Sequence, residues 1–196
     1  THSAKAGQGM NVSIQDGFNL GWKIGQVVSG YSDPSLLHTY SGERQEVAQN
    51  LIDFDKKWSS LMAAKPEDLP SKNYVAEFYQ KTFEFPAGFM TEYKPSELTT
   101  DTAHQDLAKG YEIGKRFKSA KVSRISDTNP LQLGHLHEAD GRWRIYVFGD
   151  DKAQTDAANK ANSFGEWLGT NANSPVIKYT REGEDLNSVF DAKVIY

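Results

Sequence analysis

Residues 1–24 read THSAKAGQGMNVSIQDGFNLGWKI, a loop of small residues running into an amphipathic helix with no strand before it. A junction of this kind aims backbone N–H groups and the positive end of a helix dipole at an electron-rich group. Gly7 and Gly9 permit positive φ or close approach of a ligand, and Asn11 is placed to cap a helix that starts there. The amides of Gly9, Met10 and Asn11 are therefore the candidate contacts for a carbonyl or an anion. A glycine loop before a helix is also often only a turn, so the spacing alone leaves both readings open.

Outward from this loop, a helix is predicted from Asn11 to about Ser29. Gln15, Asp16, Asn19, Lys23 and Gln26 form one polar stripe, with Ile14, Phe18, Leu20, Trp22, Ile24 and Val28 around the rest. A helix this apolar is expected to be mostly buried. Gly17, Gly21 and Gly25 recur every four residues, which predicts tight packing against a neighbouring backbone. Gly30 closes the helix, and Asp33-Pro34 supplies the N-cap and first position of the next.

Val47, Leu51, Phe54, Trp58 and Leu61 mark one face of a long helix reaching about Met62, where Pro66 and Pro70 stop the pattern. A shorter helix is predicted over Lys72 to Thr82, then a loop or strand pairs through FEFPAGFMTEY, residues 83–93. Composition shifts after Thr100, and from about Gly110 strands alternate with one helix. Strands are predicted at Arg142–Phe148, Pro175–Tyr179 and Val189–Tyr196, with a helix over Ala153–Leu168. A strand-helix-strand unit of this size predicts a small α/β domain.

With 196 residues, 38% of them hydrophobic, and a net charge of -4, the chain has the make-up of an ordinary globular protein. Its mild acidity gives no reason to propose nucleic acid or an anionic membrane as a partner. The absence of cysteine rules out disulfides, thiolate metal sites and a Cys-x-x-Cys redox centre. No apolar run reaches the roughly 20 residues needed to span a bilayer, and no secretory signal pattern opens the chain, so a cytoplasmic location is the default expectation. The first residue is Thr1 and the first methionine Met10, so the chain reads as a fragment or processed piece.

Other constellations have plain explanations. His135 and His137 alternate as on one face of a strand, with Glu138 and Asp140 close behind, yet exposed histidines beside a turn account for the pattern and no metal is expected. His2, Ser3 and Asp16 lack the sharp turn that presents a nucleophilic serine. The basic cluster Lys115-Arg116-Phe117-Lys118 is diluted by neighbouring acids and reads as a solvated face.

The segment HSAKAGQGMNVSIQDGFNLGWKI resembles the second flavin motif of the flavin-dependent aromatic hydroxylases, the phenol 2-monooxygenase and 3-hydroxybenzoate 4-monooxygenase group. The likeness continues through TYSGERQEVAQNLIDFD, KGYEIGKRFKSAKVSRISD, DGRWRIYVFGD and SPVIKYTREGED, and so extends over nearly the whole chain. The resemblance implies that backbone amides of Gly9, Met10 and Asn11 meet the pyrimidine end of the FAD ring system, stabilising negative charge there on reduction. It implies a parent enzyme that uses NADPH to reduce FAD and transfers one oxygen atom of O₂ to a phenolic substrate, acting as a homodimer.

The architecture so implied is α/β: a helical remnant of the flavin and substrate region over 1–109, then a thioredoxin-like α/β domain over 110–196 that is incomplete at its C-terminal end. No Gly-x-Gly-x-x-Gly follows a strand, so the dinucleotide-binding unit of the family is not in this sequence. The family's catalytic side chains belong to that other portion, and no catalytic residue is assigned. Two departures from the family pattern are Ala4, where proline is usual, and Glu46, near which the family form carries proline. Alone, the chain is expected neither to retain FAD nor to hydroxylate phenol. A different reading is a stand-alone, non-catalytic module that dimerises or binds an aromatic ligand through Phe83, Phe85, Phe89 and Tyr93.

Overall fold

The structure, a computed structural model, describes residues 7–82, 84–85, 88–149 and 160–196. Helices and strands occur in two compact units, Thr1–Phe117 and Lys118–Tyr196, where the sequence predicts a boundary at 109/110. The first unit contains α1 (Gly9–Val28), α2 (His38–Ala63) and α3 (Tyr74–Thr82). The second contains β1 (Lys121–Ser123), β2 (Pro130–Gln132), β3 (Trp143–Phe148), α4 (Lys160–Thr170), α5 (Pro175–Tyr179) and β4 (Phe190–Ile195).

α1 ends where the glycine signal places it. Gly30 has φ 71, its N–H donates to Val27 O at 3.0 Å, and the Tyr31 N–H donates to Gln26 O at 2.9 Å. These two bonds satisfy terminal carbonyls through a left-handed residue that only glycine adopts without strain. Asp33 Oδ1 then accepts from the Ser35 N–H at 2.8 Å, with Pro34 in the first position of a short 3₁₀ turn that leads directly into α2.

The packing of α1 reverses the sequence expectation. Its buried residues are Asn19 and Lys23, members of the polar stripe, whereas Met10, Ile14, Phe18, Ile24 and Val28 are between 44% and 81% exposed. Nor do Gly17, Gly21 and Gly25 meet a neighbour: a Cβ added at any of them finds nothing within 4 Å. The reason lies in α2, whose buried positions Thr39, Glu43, Val47, Leu51 and Asp55 recur every fourth residue, with Arg44 alongside. Charged groups occupy the α1-facing part of this row, so α1 turns its polar side to meet them.

Lys23 Nζ, with 0% of its side chain exposed, donates to Glu43 Oε2 at 2.6 Å. Asn19 Nδ2 donates to the same oxygen at 2.7 Å. Arg44 fastens three segments: Nε donates to Asp16 Oδ1 at 2.6 Å, Nη2 to Gln15 Oε1 at 3.2 Å and Nη1 to the Tyr93 hydroxyl at 3.1 Å. Taking these charges out of water is costly unless each finds partners in good geometry, and removing one member leaves the other buried and uncompensated. Farther along α2, Phe54 packs on Trp58, Phe78 and Phe85 with ring centroids 6.4, 6.1 and 5.3 Å away, which ties α3 and the turn after it to α2.

Tyr93 is itself held by Gly114. The Tyr93 N–H donates to Gly114 O at 2.9 Å, and Gly114 has φ 81, with a hypothetical Cβ 2.3 Å from the Tyr93 carbonyl oxygen. No side chain fits there, so glycine is required at this crossing of two backbones.

In the second unit β1 pairs antiparallel with β2, and β3 pairs parallel with β4 over Trp143↔Phe190 to Phe148↔Ile195. A parallel pair needs a crossover, which α4 and α5 supply. The predicted strand at Pro175–Tyr179 is instead α5: Ser174 Oγ accepts from the Ile177 N–H at 3.1 Å and donates to Leu168 O at 2.6 Å. Ser-Pro in the N-cap and first positions is a helix start, and this local chemistry outweighs the β-branched composition. Of the helix expected over Ala153–Leu168, residues 153–159 lie outside the described residues, and the described part is α4. One face of the parallel pair carries a charge network in which Arg144 donates to Asp140 Oδ2 at 2.7 Å and lies 3.2 Å from Asp191. Arg144 and Arg142 hold the Asp140 carboxyl well below the usual carboxylate range.

Two outcomes are expected. Glu43→Ala costs about 3–5 kcal/mol by urea unfolding, and Lys23→Met combined with Glu43→Leu costs much less because no charge is left stranded. The folded-state depression of the Asp140 pKa makes its stabilisation full above the unfolded value of 3.8 and lost as pH falls through the lower folded value. The stability gap between wild type and Asp140→Asn, measured by unfolding at several pH values, is expected to hold above pH 3.8 and to shrink as the pH falls below it; a widening gap contradicts the assignment.

Candidate functional site at the start of α1

α1 starts at Gly9, two residues before the predicted Asn11 cap. Gln8 is the N-cap residue and makes no side-chain cap bond; its Oε1 instead accepts from Asn11 Nδ2 at 2.7 Å. Asn11 thus sits inside the first turn, and its side chain steadies Gln8 rather than capping the helix. The first helical bond is from the Val12 N–H to Gln8 O at 3.1 Å. The N–H groups of Gly9, Met10 and Asn11 precede it and have no acceptor among the described residues.

No acidic residue lies in that first turn, so the positive end of the 20-residue helix is uncompensated by any carboxylate of its own. Gly7 leads in with φ 66, a left-handed turn that the glycine spacing anticipated. The earlier shift in the helix start therefore brings all three predicted residues together as consecutive donors. Such a set can hold a carbonyl oxygen or delocalised negative charge without any side chain.

One depression borders this turn, and a second shares part of its wall. The first is small and lined by Gln8, Asn11, Val12, Gln15, Leu51 and Gly88 among others. The second, about 240 Å³, lies between α2 and the segment around 85–94, with Glu46, Asn50, Met90 and Lys94 on its wall. Val47, Phe85 and Thr91 border both. Glu46 lies within the uninterrupted α2 and pairs with Lys94 at 2.8 Å.

Three of the aromatic residues proposed for a separate ligand site have partners of their own. Phe85 belongs to the Phe54 cluster, Phe89 lies beneath the Arg116 guanidinium at 5.0 Å, and the Tyr93 hydroxyl accepts from Arg44. Phe83 lies outside the described residues. The two alternating histidines are not on one strand: His135 ends a 3₁₀ turn, and His137 Nδ1 lies 2.9 Å from the Tyr146 hydroxyl. Burial, then the charges of Arg144 and Lys193, lowers the His137 pKa. Among the described residues no group of three or more His, Asp or Glu is arranged to hold a metal, and no helix is long and apolar enough to cross a membrane. What sequence reasoning missed is the Gln8–Asn11 bond and the polar inward face behind it, which together fix the turn from its rear.

Residues 91–196 match the family described as phenol hydroxylase, C-terminal dimerisation domain, and residues 1–55 match an FAD binding domain; the chain belongs to the phenol hydroxylase dimerisation-domain family. It is 47% identical over 202 residues to the 3-hydroxybenzoate 4-monooxygenase of Comamonas testosteroni, an alignment that spans 100% of this chain and 31% of the relative. It is 38% identical over 172 residues to the phenol 2-monooxygenase fsqG of Aspergillus fumigatus, covering 86% of this chain and 29% of that protein. The chain therefore spans about a third of the length of these relatives. Among solved structures, BexE superposes with a TM-score of 0.62 at 22% identity, over 99% of this chain and 34% of BexE, and RebC with a TM-score of 0.56 at 18% identity, over 100% of this chain and 35% of RebC. These two share the fold.

Proposed function

We propose that this chain is part of an FAD-dependent monooxygenase that hydroxylates phenolic substrates with NAD(P)H and O₂, and that it contributes one wall of the flavin site. The observation that carries the reading is the run of three amides, Gly9, Met10 and Asn11, that have no acceptor among the described residues at the head of α1, where no side chain caps the helix, inside the stretch that matches an FAD binding domain. The donor set fits a flavin: hydrogen-bond donors and helix dipole favour the electron-rich pyrimidine edge, most strongly when the ring system is reduced and anionic. FAD, when bound, supplies the redox chemistry. This chain's residues orient its ring and bias its charge, while Lys23, Glu43 and Arg44 hold α1 in place from behind.

The remainder of the enzyme, including the dinucleotide-binding unit and the residues that touch the substrate, belongs to further polypeptide. The second unit is a thioredoxin-like domain used for assembly as a homodimer; its lack of cysteine accords with assembly and leaves no dithiol chemistry to perform. A cytoplasmic setting is consistent with that lack.

Two measurements test this reading. The isolated chain, purified with excess FAD and desalted, is expected to show no stoichiometric flavin absorbance; a one-to-one flavin band contradicts the need for further polypeptide. The second uses a graft in which this chain replaces the matching stretch of the Comamonas relative. There Met10→Pro, which removes an amide donor while remaining acceptable in the first helical turn, is expected to weaken FAD binding by about 10-fold or more. Met10→Ala keeps the amide and is expected to stay within about 3-fold. Equal effects of the two variants contradict a main-chain contact.

A further inference from the structure

The larger depression, of about 240 Å³, has a wall on each side that is held in place before anything enters it. On α2, Glu46 and Asn50 stand one helical turn apart beside the buried Val47. Opposite, the segment 85–94 is pinned along its length. The Tyr93 N–H donates to Gly114 O at 2.9 Å, the Tyr93 hydroxyl accepts from Arg44 at 3.1 Å, Lys94 pairs with Glu46 at 2.8 Å and Glu92 lies 3.7 Å from Lys115. Phe85, its ring 5.3 Å from that of Phe54, and Met90 supply an apolar side. Walls already ordered cost a ligand little on binding. The volume lies below the range that takes drug-sized ligands, so the occupant is a single small ring.

The polar groups on the wall select the substituent of that ring. Glu46 gives Oε2 to Lys94, while its Oε1, the Asn50 side-chain amide and the Thr91 hydroxyl hold no hydrogen bond among the described residues. A neutral hydroxyl donates to Oε1 and accepts from Asn50 Nδ2 with the ion pair intact. A carboxylate meets Glu46 and Glu92, two like charges against the one ammonium of Lys94, and reaches that ammonium only by evicting Glu46. We propose that this depression binds one uncharged phenol, its hydroxyl between Glu46 and Asn50 and its ring between Phe85 and the Met90 thioether, and that it rejects rings carrying a carboxylate. The proposal rests on the reading of the parent as an enzyme of phenolic substrates, and it narrows that class to phenols without an acid group. Val47, Phe85 and Thr91 also line the depression that holds Gln8, Asn11 and Val12, so a phenol seated here shares its wall with the turn proposed to face the flavin.

The chain has three methionines, Met10, Met62 and Met90, so ¹³C-methyl labelling places one reporter in the depression, one at the head of α1 and one near the end of α2. Titration of the flavin-free chain with phenol near neutral pH, where the hydroxyl keeps its proton, is expected to move the Met90 methyl resonance along a saturable curve while Met62 stays fixed. Benzoate is expected to bind about fivefold more weakly or worse. Asn50→Leu, on the exposed side of α2, is expected to weaken phenol binding about threefold or more, with unmoved Met10 and Met62 resonances reporting an intact fold. Glu46→Gln removes one opposing charge and frees Lys94, and is expected to raise benzoate affinity about fivefold, a gain that mere damage to the surface does not produce. A Met90 resonance that stays still, or that moves in step with Met62, overturns the proposal. So does benzoate binding to the unaltered chain as tightly as phenol, or no gain of benzoate binding in Glu46→Gln. None of these readouts involves FAD, so their failure ends the phenol site alone, whereas the Met10 variants in the graft decide the flavin-wall reading.

Discussion

The Glu43 carboxylate accepts from both Lys23 and Asn19 out of contact with water, and the first unit depends on it. A charged carboxylate in that position forces α1 to present its polar stripe to α2, because a buried anion without donors is worth several kcal/mol of instability. Once that face is committed, the rotation of α1 about its axis is fixed. Its apolar residues then point outward, and its first turn meets solvent at the edge of the cleft beside Val47 and Phe85. Arg44 repeats the logic one residue on, reaching Asp16, Gln15 and Tyr93. Gly114 in turn fixes the backbone of Tyr93 by an approach that no side chain allows.

Some of this fold was legible in the sequence because its causes are local. Gly30 at the end of α1, Asp33-Pro34 before α2 and the four-residue spacing of Val47 and Leu51 all follow from backbone geometry within a few residues. The strands at 143–148 and 190–195 likewise announce themselves by their β-branched and aromatic content. α5 is hard to read as a helix because Val176 and Ile177 fill two of its five positions and favour a strand, against the Ser174-Pro175 start. The capping dipeptide was the available signal.

The orientation of α1 was not legible, for a different reason. Which face of a helix is buried depends on what faces it, and here the determinant, Glu43, lies 24 residues from Asn19. The rule that apolar surface goes inside yields here to the buried charges of α2, which take the polar stripe of α1 and leave its apolar residues exposed. The candidate site was legible as a set of residues, Gly9, Met10 and Asn11, although not in its detail. Asn11 bonds Gln8 instead of capping, and the earlier helix start makes the three amides consecutive donors.

The central claim is that the head of α1 meets a flavin through its main chain. A crystal structure of the Comamonas graft with FAD tests it most directly. The account expects the flavin pyrimidine oxygen or its neighbouring ring nitrogen within about 3.2 Å of at least one of the amide nitrogens of Gly9, Met10 and Asn11. A flavin bound elsewhere in the graft, with water or a protein side chain on all three amides, would contradict it.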